Sequence, residues 1–194
     1  MFRAVAFLLL SAVVICAGQR TPIEPNPYAR YLAPVLASDV PEIGIAAFRG
    51  DVPTLRYLIS SGANIESAGR DGRAPLLLAS AGGHVEAVTI LLEAGANINA
   101  RDHSGGTALH WAAERGEEKV ALLLLSHHPE VNVQDEFGGT PLIFAAMTGD
   151  KKIVEALIRA GARRDFRDVS GWTASDWAKR NKYLDVVSLL ESAR

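Results

Sequence analysis

Apolar residues recur along most of this chain with a period of 33 residues. One register holds an alanine at every step, at Ala46, Ala79, Ala112, Ala145 and Ala178. A second register, twelve residues further on, holds a leucine at every step, at Leu58, Leu91, Leu124, Leu157 and Leu190. A period of this length is typical of a solenoid, in which each repeat buries the apolar face of its neighbour.

Local signals predict two short antiparallel helices in each repeat. In the first repeat, Ser38 and Asp39 are candidate caps for a helix that begins near Pro41, since proline is favoured at the first helical position. Gly62-Ala63-Asn64 ends the second helix, because glycine readily takes the left-handed conformation beyond a helix end. In the third repeat His128-Pro129 replaces this Gly-Ala pair. A residue before proline avoids the helical region, so we expect that loop to leave the usual path.

One position in the predicted first helix is apolar in all five repeats. Its residues are Ile45, Leu78, Trp111, Phe144 and Trp177. We interpret them as a core ladder between repeats rather than as an aromatic ligand site, because no single repeat can bury its own apolar face.

Composition and charge are those of one folded domain. The chain has 194 residues, 48% of them hydrophobic, and a net charge of −2. Acidic and basic side chains are interspersed, so we expect no binding to nucleic acid. The only cysteine is Cys16, near the N-terminus, which leaves the rest of the chain without a disulfide, a thiol nucleophile or a thiolate metal ligand.

The first 18 residues resemble a secretory signal peptide. Arg3 precedes a run of about 14 apolar residues that ends in small residues, and we expect cleavage after Ala17 or Gly18. A retained membrane anchor is the alternative, although about 20 apolar residues are needed to span the hydrocarbon core. Lipidation at Cys16 is a third possibility. The expected location is therefore periplasmic or secreted, with no other membrane association. A bacterial periplasm is the favoured location, and a eukaryotic secreted protein is the alternative.

One segment identifies a family. Thr107-Ala108-Leu109-His110-Trp111-Ala112 resembles the Thr-Pro-Leu-His-x-Ala helix start of ankyrin repeats, which have the same 33-residue period. Related segments lie at residues 72–79, 138–145 and 171–178. His110 is the only histidine in the family's histidine position, so the tether between threonine and histidine is expected only once, at Thr107 and His110.

The resemblance implies an all-α repeat solenoid of five helix-turn-helix repeats joined by hairpin-like turns. After a proline-rich linker at residues 19–37, the ankyrin-repeat domain spans residues 38–194. The expected repeats are residues 38–68, 69–101, 102–134, 135–167 and 168–194. The last repeat is polar where the others are apolar, as a solvent-facing terminal repeat requires, and we expect a monomer.

The resemblance also implies where a partner protein binds. In the family, the hairpin tips and the exposed face of each first helix line a concave surface that binds other proteins. The matching residues here are Arg70, Asp71, Arg73, His103, Ser104, Glu114, Arg115, Glu136, Phe137, Met147, Thr148, Val169, Trp172, Arg180 and Asn181. We expect Phe137 to be an exposed aromatic anchor, and leave Trp172 open between an anchor and packing under the last helices.

The sequence shows no motif for catalysis, cofactor binding or metal binding. It lacks a phosphate loop, a nucleophile elbow and a His-Glu-x-x-His pair. His84 and His110 have structural positions in the repeat, and we expect no metal site from His103, His127 and His128. The predicted function is therefore a scaffold that binds another protein, with inhibition or protection of that partner as candidate effects, and without enzymatic activity. The alternatives are a structural spacer in the cell envelope or an enzyme built on a repeat scaffold.

Overall fold

The computed structural model describes residues 39–192. The predicted signal peptide, the predicted linker and residue 38 lie outside the described residues, as do residues 193–194. All of the described residues belong to the compact unit Ala33–Arg194.

Ten α-helices and no strand occur in residues 39–192, and the helices form five consecutive pairs. The pairs are α1 (Glu42–Arg49) with α2 (Val52–Ser60), α3 (Pro75–Ala81) with α4 (Val85–Glu93), α5 (Ala108–Arg115) with α6 (Glu118–Ser126), α7 (Pro141–Thr148) with α8 (Lys151–Arg159), and α9 (Ala174–Arg180) with α10 (Leu184–Glu191). The prediction of an all-α repeat stack is confirmed. None of the described helices is long and apolar enough to cross a membrane.

The helices form two layers. The first helix of each pair contacts the first helix of the next pair, the second helices do the same, and the two helices of a pair contact each other. The core lies between these layers. The whole alanine register is buried there, and so is the leucine register apart from Leu58, which is half-buried. Leu58 belongs to the first pair, which has a described neighbour on only one side.

The predicted apolar ladder is part of this core. Leu78, Trp111, Phe144 and Trp177 are buried, and Ile45 in the first pair is half-buried. The ring edge of Phe144 also contacts His110 of the preceding repeat, with the two ring centroids 5.9 Å apart. These side chains therefore link consecutive repeats, as the sequence pattern predicts.

The tether between Thr107 and His110 is present and extends to the next repeat. The Thr107 amide donates to His110 Nδ1 over 3.1 Å, so Nδ1 is the acceptor and Nε2 carries the proton. Nε2 lies 3.3 Å from the Gly139 carbonyl oxygen, to which it donates. Burial lowers the pKa of His110 to about 4, and the imidazole is therefore neutral at physiological pH.

Within residues 39–192 the tether between threonine and histidine occurs only at Thr107 and His110, as expected, but the last repeat has an equivalent pair without a histidine. Asp176 occupies the histidine position there, and its Oδ2 accepts from the Thr173 amide over 2.9 Å. In return Thr173 Oγ1 accepts from the Asp176 amide over 3.2 Å. A carboxylate can replace the imidazole because the position requires an acceptor facing the N-cap amide.

The expectation that Asp39 caps α1 is wrong. The residue at the N-cap is Pro41, and no side chain bonds to the first turn. Asp39 Oδ2 instead accepts from the Arg70 amide over 3.2 Å and lies 2.9 Å from Arg70 Nε. Asp39 lies two residues before the N-cap. Its carboxylate instead bonds to Arg70, in the hairpin tip between α2 and α3.

The loop after α6 keeps the path of the other repeats, contrary to the sequence-based expectation. His128 has a positive φ of 53°, like Gly95 with 91° and Gly161 with 90°. Its amide donates to the Leu125 carbonyl over 3.1 Å, the bond that these glycines make at 3.0 Å. Pro129 has no amide hydrogen and lacks the bond that Ala96 and Ala162 donate next. The sequence change thus removes one hydrogen bond and places a non-glycine residue in a left-handed conformation, at a cost of about 1–2 kcal/mol.

Candidate functional site

The hairpin tips of neighbouring repeats are joined by backbone hydrogen bonds. The His103 amide donates to the Asp71 carbonyl over 3.0 Å, and the Glu136 amide donates to the Ser104 carbonyl over 2.8 Å. The Val169 amide donates to the Phe137 carbonyl over 2.8 Å. The predicted tip residues of consecutive repeats are therefore adjacent. We call the fifteen predicted binding residues, on these tips and on the first helices, the tip face.

A buried aspartate fixes the shape of each central tip. Asp102 Oδ1 accepts from the amides of Ser104 and Gly106, each over 2.9 Å. Its Oδ2 accepts from the indole Nε1 of Trp111 over 2.9 Å. The carboxylate thus ties the tip to the core ladder, and this bonding compensates for its burial.

Buried aspartates accept from tip amides in the last two tips as well, and the one in the last tip also accepts from a ladder indole. Asp168 accepts from the Ser170 amide over 2.8 Å, from the Trp172 amide over 3.0 Å and from Trp177 Nε1 over 2.7 Å. Asp135 accepts from the Phe137 amide over 2.9 Å. Sequence reasoning missed this role. One signal for it was present in the sequence. An aspartate precedes a tryptophan by nine residues at Asp102 and Trp111, and again two repeats later at Asp168 and Trp177.

On the second and third repeats, one arginine of the tip face lies over a buried tryptophan, close to other charged residues. The Arg73 guanidinium lies 4.2 Å from the centroid of the Trp111 ring. Its Nε lies 3.2 Å from Asp71 Oδ2, and the Arg73 side chain is only 13% exposed. Nearby, burial raises the pKa of Glu114 to about 7, although the positive charges of Arg115 and Arg73 act in the opposite direction.

On the last repeat, two tryptophans and an arginine form a cluster. The ring centroids of Trp172 and Trp177 lie 4.9 Å apart. The Arg180 guanidinium lies 4.9 Å from the Trp172 centroid and 5.4 Å from the Trp177 centroid. Asn181 Nδ2 donates to the Met147 carbonyl over 2.8 Å and so links α9 to the end of α7. Trp172 therefore packs on the core ladder while remaining part of the surface.

Comparison with protein families accounts for this architecture. A family model described as ankyrin repeats (3 copies) matches residues 43–135 and 123–193. This chain is an ankyrin-repeat protein. Ankyrin repeats generally serve as scaffolds for protein interactions, and the family is typically non-enzymatic. No protein with curated annotation matches the chain in sequence.

The fifteen residues of the tip face differ in exposure on the ankyrin stack. The exposed residues are Arg70, His103, Arg115, Glu136, Thr148, Val169, Arg180 and Asn181. The half-buried residues are Asp71, Arg73, Ser104, Glu114, Phe137, Met147 and Trp172. The expectation of an exposed Phe137 is thus wrong. Its amide is held by Asp135 and its carbonyl accepts from Val169, so the tip is drawn against the next repeat.

The described part of this ankyrin-repeat protein shows no group of three or more His, Cys, Asp or Glu residues placed to hold a metal ion. His110, which has a strongly lowered pKa, is used in bonds between repeats.

Glu114 gives the ankyrin stack a pH dependence that can be measured. A glutamate of ordinary pKa 4.5 ionises in the unfolded chain while Glu114 in the folded protein keeps its proton up to about pH 7. Its contribution to the free energy of unfolding therefore falls as pH rises between these values. We expect Glu114→Gln to be more stable relative to wild type at about pH 8 than at about pH 4.5. After allowance for solvent screening, the difference should be about 1–2 kcal/mol.

Urea unfolding of both proteins at the two pH values measures this effect. His110 has the opposite sign, because its folded pKa is lowered and its contribution is lost as pH falls from 6.5 to about 4. The comparison between variant and wild type cancels the contribution of His110. An equal stability difference at both pH values would show that Glu114 ionises normally.

Proposed function

We propose that this ankyrin-repeat protein binds a partner protein through the tip face. The observation that carries the proposal is the row of tips, fixed by buried aspartates and joined by backbone hydrogen bonds, with eight of its fifteen residues exposed. A surface already held in one conformation loses little conformational entropy when it binds, and more of the contact energy then appears as affinity.

The residue types on the tip face support a protein partner. Aromatic residues, methionine and arginine are enriched in the centres of protein interfaces. The tip face contains Phe137, Met147 and Trp172, and both Arg115 and Arg180 are exposed. We propose that the protein acts by binding alone, as is typical of ankyrin-repeat proteins.

Phe137 lies near the middle of the stack and provides the test. We expect Phe137→Ala to weaken binding to the partner by about tenfold or more, since central aromatic residues commonly contribute 2 kcal/mol or more. The partner is first identified by affinity capture from the native host, and its affinity is then measured by calorimetry with purified variants. Thermal unfolding of each variant separates a loss of binding from a loss of folding.

Two variants serve as controls. Phe166→Ala is the same substitution at another half-buried phenylalanine, which lies outside the tip face under the Arg163 guanidinium. Glu155→Ala changes α8, where Glu155 lies 3.9 Å from Lys151. Both should change the affinity by less than about twofold. Weaker binding of the two controls, with Phe137→Ala unaffected, would place the partner elsewhere. Unchanged affinity in all three would place the partner on a surface to which none of these residues belongs, and failure to capture any partner would favour a spacer.

We further propose that the protein is exported and functions in the periplasm or outside the cell. The support is the sequence of residues 1–18, with Arg3 followed by an apolar run and small residues. N-terminal sequencing of protein purified from the native host should give a first residue of Gly18 or Gln19. A sequence that begins at Met1, on protein recovered from the cytosol, would contradict export.

A further inference from the structure

Arg180 is an exposed arginine whose charge is not matched within the described part of the chain. No described carboxylate lies within ion-pair distance of its guanidinium, and no described group forms a hydrogen bond with it. The guanidinium instead lies over the rings of Trp172 and Trp177. Its hydrogen-bond donors are therefore available to another molecule.

The support beneath Arg180 is rigid. Trp177 is buried, and its Nε1 donates to Asp168 Oδ2 over 2.7 Å. Asp168 also accepts from the Trp172 amide, so one buried carboxylate holds the Trp177 ring and the backbone of Trp172. Stacking on aromatic faces limits the orientations of a guanidinium and keeps its edge directed away from the rings.

The nearby acidic groups already have partners. Asp168 accepts from the Trp172 amide, the Trp177 indole and the Ser170 amide. Asp176 accepts from Thr173 and lies 3.9 Å from Arg167. Hydrogen bonds disperse the charge of Asp168, and Arg167 partly offsets that of Asp176, which weakens the repulsion that these two groups exert on an incoming carboxylate.

We propose that Arg180 binds a carboxylate of the partner, and that the C-terminal end of the tip face therefore docks an acidic protein segment. A guanidinium matches a carboxylate in a two-bond geometry, which gives orientation as well as attraction. Val169, on the same tip as Trp172, is 63% exposed and provides apolar surface for a neighbouring side chain of that segment. This inference rests on the proposed function and adds the chemistry of the partner to it.

A displayed library of random peptides, selected against the full-length protein, provides the probe. We expect the selected peptides to be enriched in aspartate and glutamate next to apolar residues. The tightest peptide is then synthesised, and its affinity is measured by fluorescence anisotropy. Arg180→Gln should weaken binding about tenfold or more, and Arg180→Lys should have an intermediate effect, since lysine keeps the charge without the planar fork.

Arg159→Gln is the matched control. Arg159 is also exposed and also ends its helix, α8, so both substitutions remove a positive charge from the same helical position. We expect it to change the affinity by less than about twofold. Thermal unfolding should be similar for the two variants.

A double-mutant cycle decides whether Arg180 contacts the carboxylate. Replacing the acidic residue of the peptide with its amide should weaken binding to wild type about tenfold and to Arg180→Gln by less than about twofold. Equal losses for both proteins, a selection without acidic enrichment, or no binding peptide at all would overturn the inference. If Phe137→Ala weakens peptide binding and Arg180→Gln does not, the proposed function stands and the inference fails. The reverse result would support Arg180 and contradict the central position of Phe137.

Discussion

We expect Leu124→Ala to lower the free energy of unfolding by about 2–5 kcal/mol, the range for removing a large aliphatic side chain from a packed core. Leu124 is fully buried on α6, in the third of five helix pairs. Repeats contact α6 on both sides, through α4 and α8, so the space left by the side chain cannot be filled by movement of an end repeat. Urea unfolding followed by circular dichroism measures the change.

The neighbouring Leu122 offers a control with the same substitution in the same helix. Its side chain is 40% exposed, and alanine is at least as favourable in a helix, so Leu122→Ala should cost less than about 1 kcal/mol. A loss below about 0.5 kcal/mol for Leu124→Ala would show that Leu124 does not belong to the shared core.

We expect Asp102→Ala to lower the free energy of unfolding by about 2–4 kcal/mol. The substitution removes the acceptor for the buried Gly106 amide and for the buried indole nitrogen of Trp111. Each buried donor left without a partner costs about 1–3 kcal/mol, and relief of the buried charge offsets part of this sum. Because Asp102 also holds Ser104, faster amide hydrogen exchange at Ser104 and Gly106 should accompany the loss.

Asp165→Ala is the control for removal of an aspartate. Asp165 is exposed and pairs with Arg163, and surface ion pairs contribute at most about 1 kcal/mol. If both variants lost the same small amount of stability, the buried aspartates would not be the groups that fix the tips.

The helical architecture could be predicted from the sequence because the residues that form its core recur in every repeat. A period of 33 residues places the alanine and leucine registers at equivalent points of every repeat, and burial between neighbours follows from that period alone. The apolar ladder could be predicted for the same reason. Its tryptophans were interpreted correctly as core, although their bonds to Asp102 and Asp168 were not foreseen.

The wrong predictions concern residues whose role depends on a partner distant in sequence or on competing local effects. Asp39 bonds to Arg70, 31 residues away, and no local pattern indicates that choice. His128 adopts the glycine-like conformation against the preference of the residue, and two residues later the Glu130 amide bonds to Asn99 of the preceding repeat. Phe137 is half-buried in a tip that is positioned by hydrogen bonds to its backbone. The sequence showed only that an aromatic residue lies on a hairpin tip, which suggested exposure.

Side-chain footprinting of the complex tests the central claim, that the tip face binds a protein, most directly. Hydroxyl radicals label Phe137, Met147 and Trp172 on the tip face, and also Tyr57 on α2 and Leu184 on α10, which are 69% and 75% exposed. With the captured partner bound, labelling should fall at the three residues of the tip face and stay unchanged at Tyr57 and Leu184. Protection of Tyr57 and Leu184, with Phe137, Met147 and Trp172 labelled as in the free protein, would contradict the account.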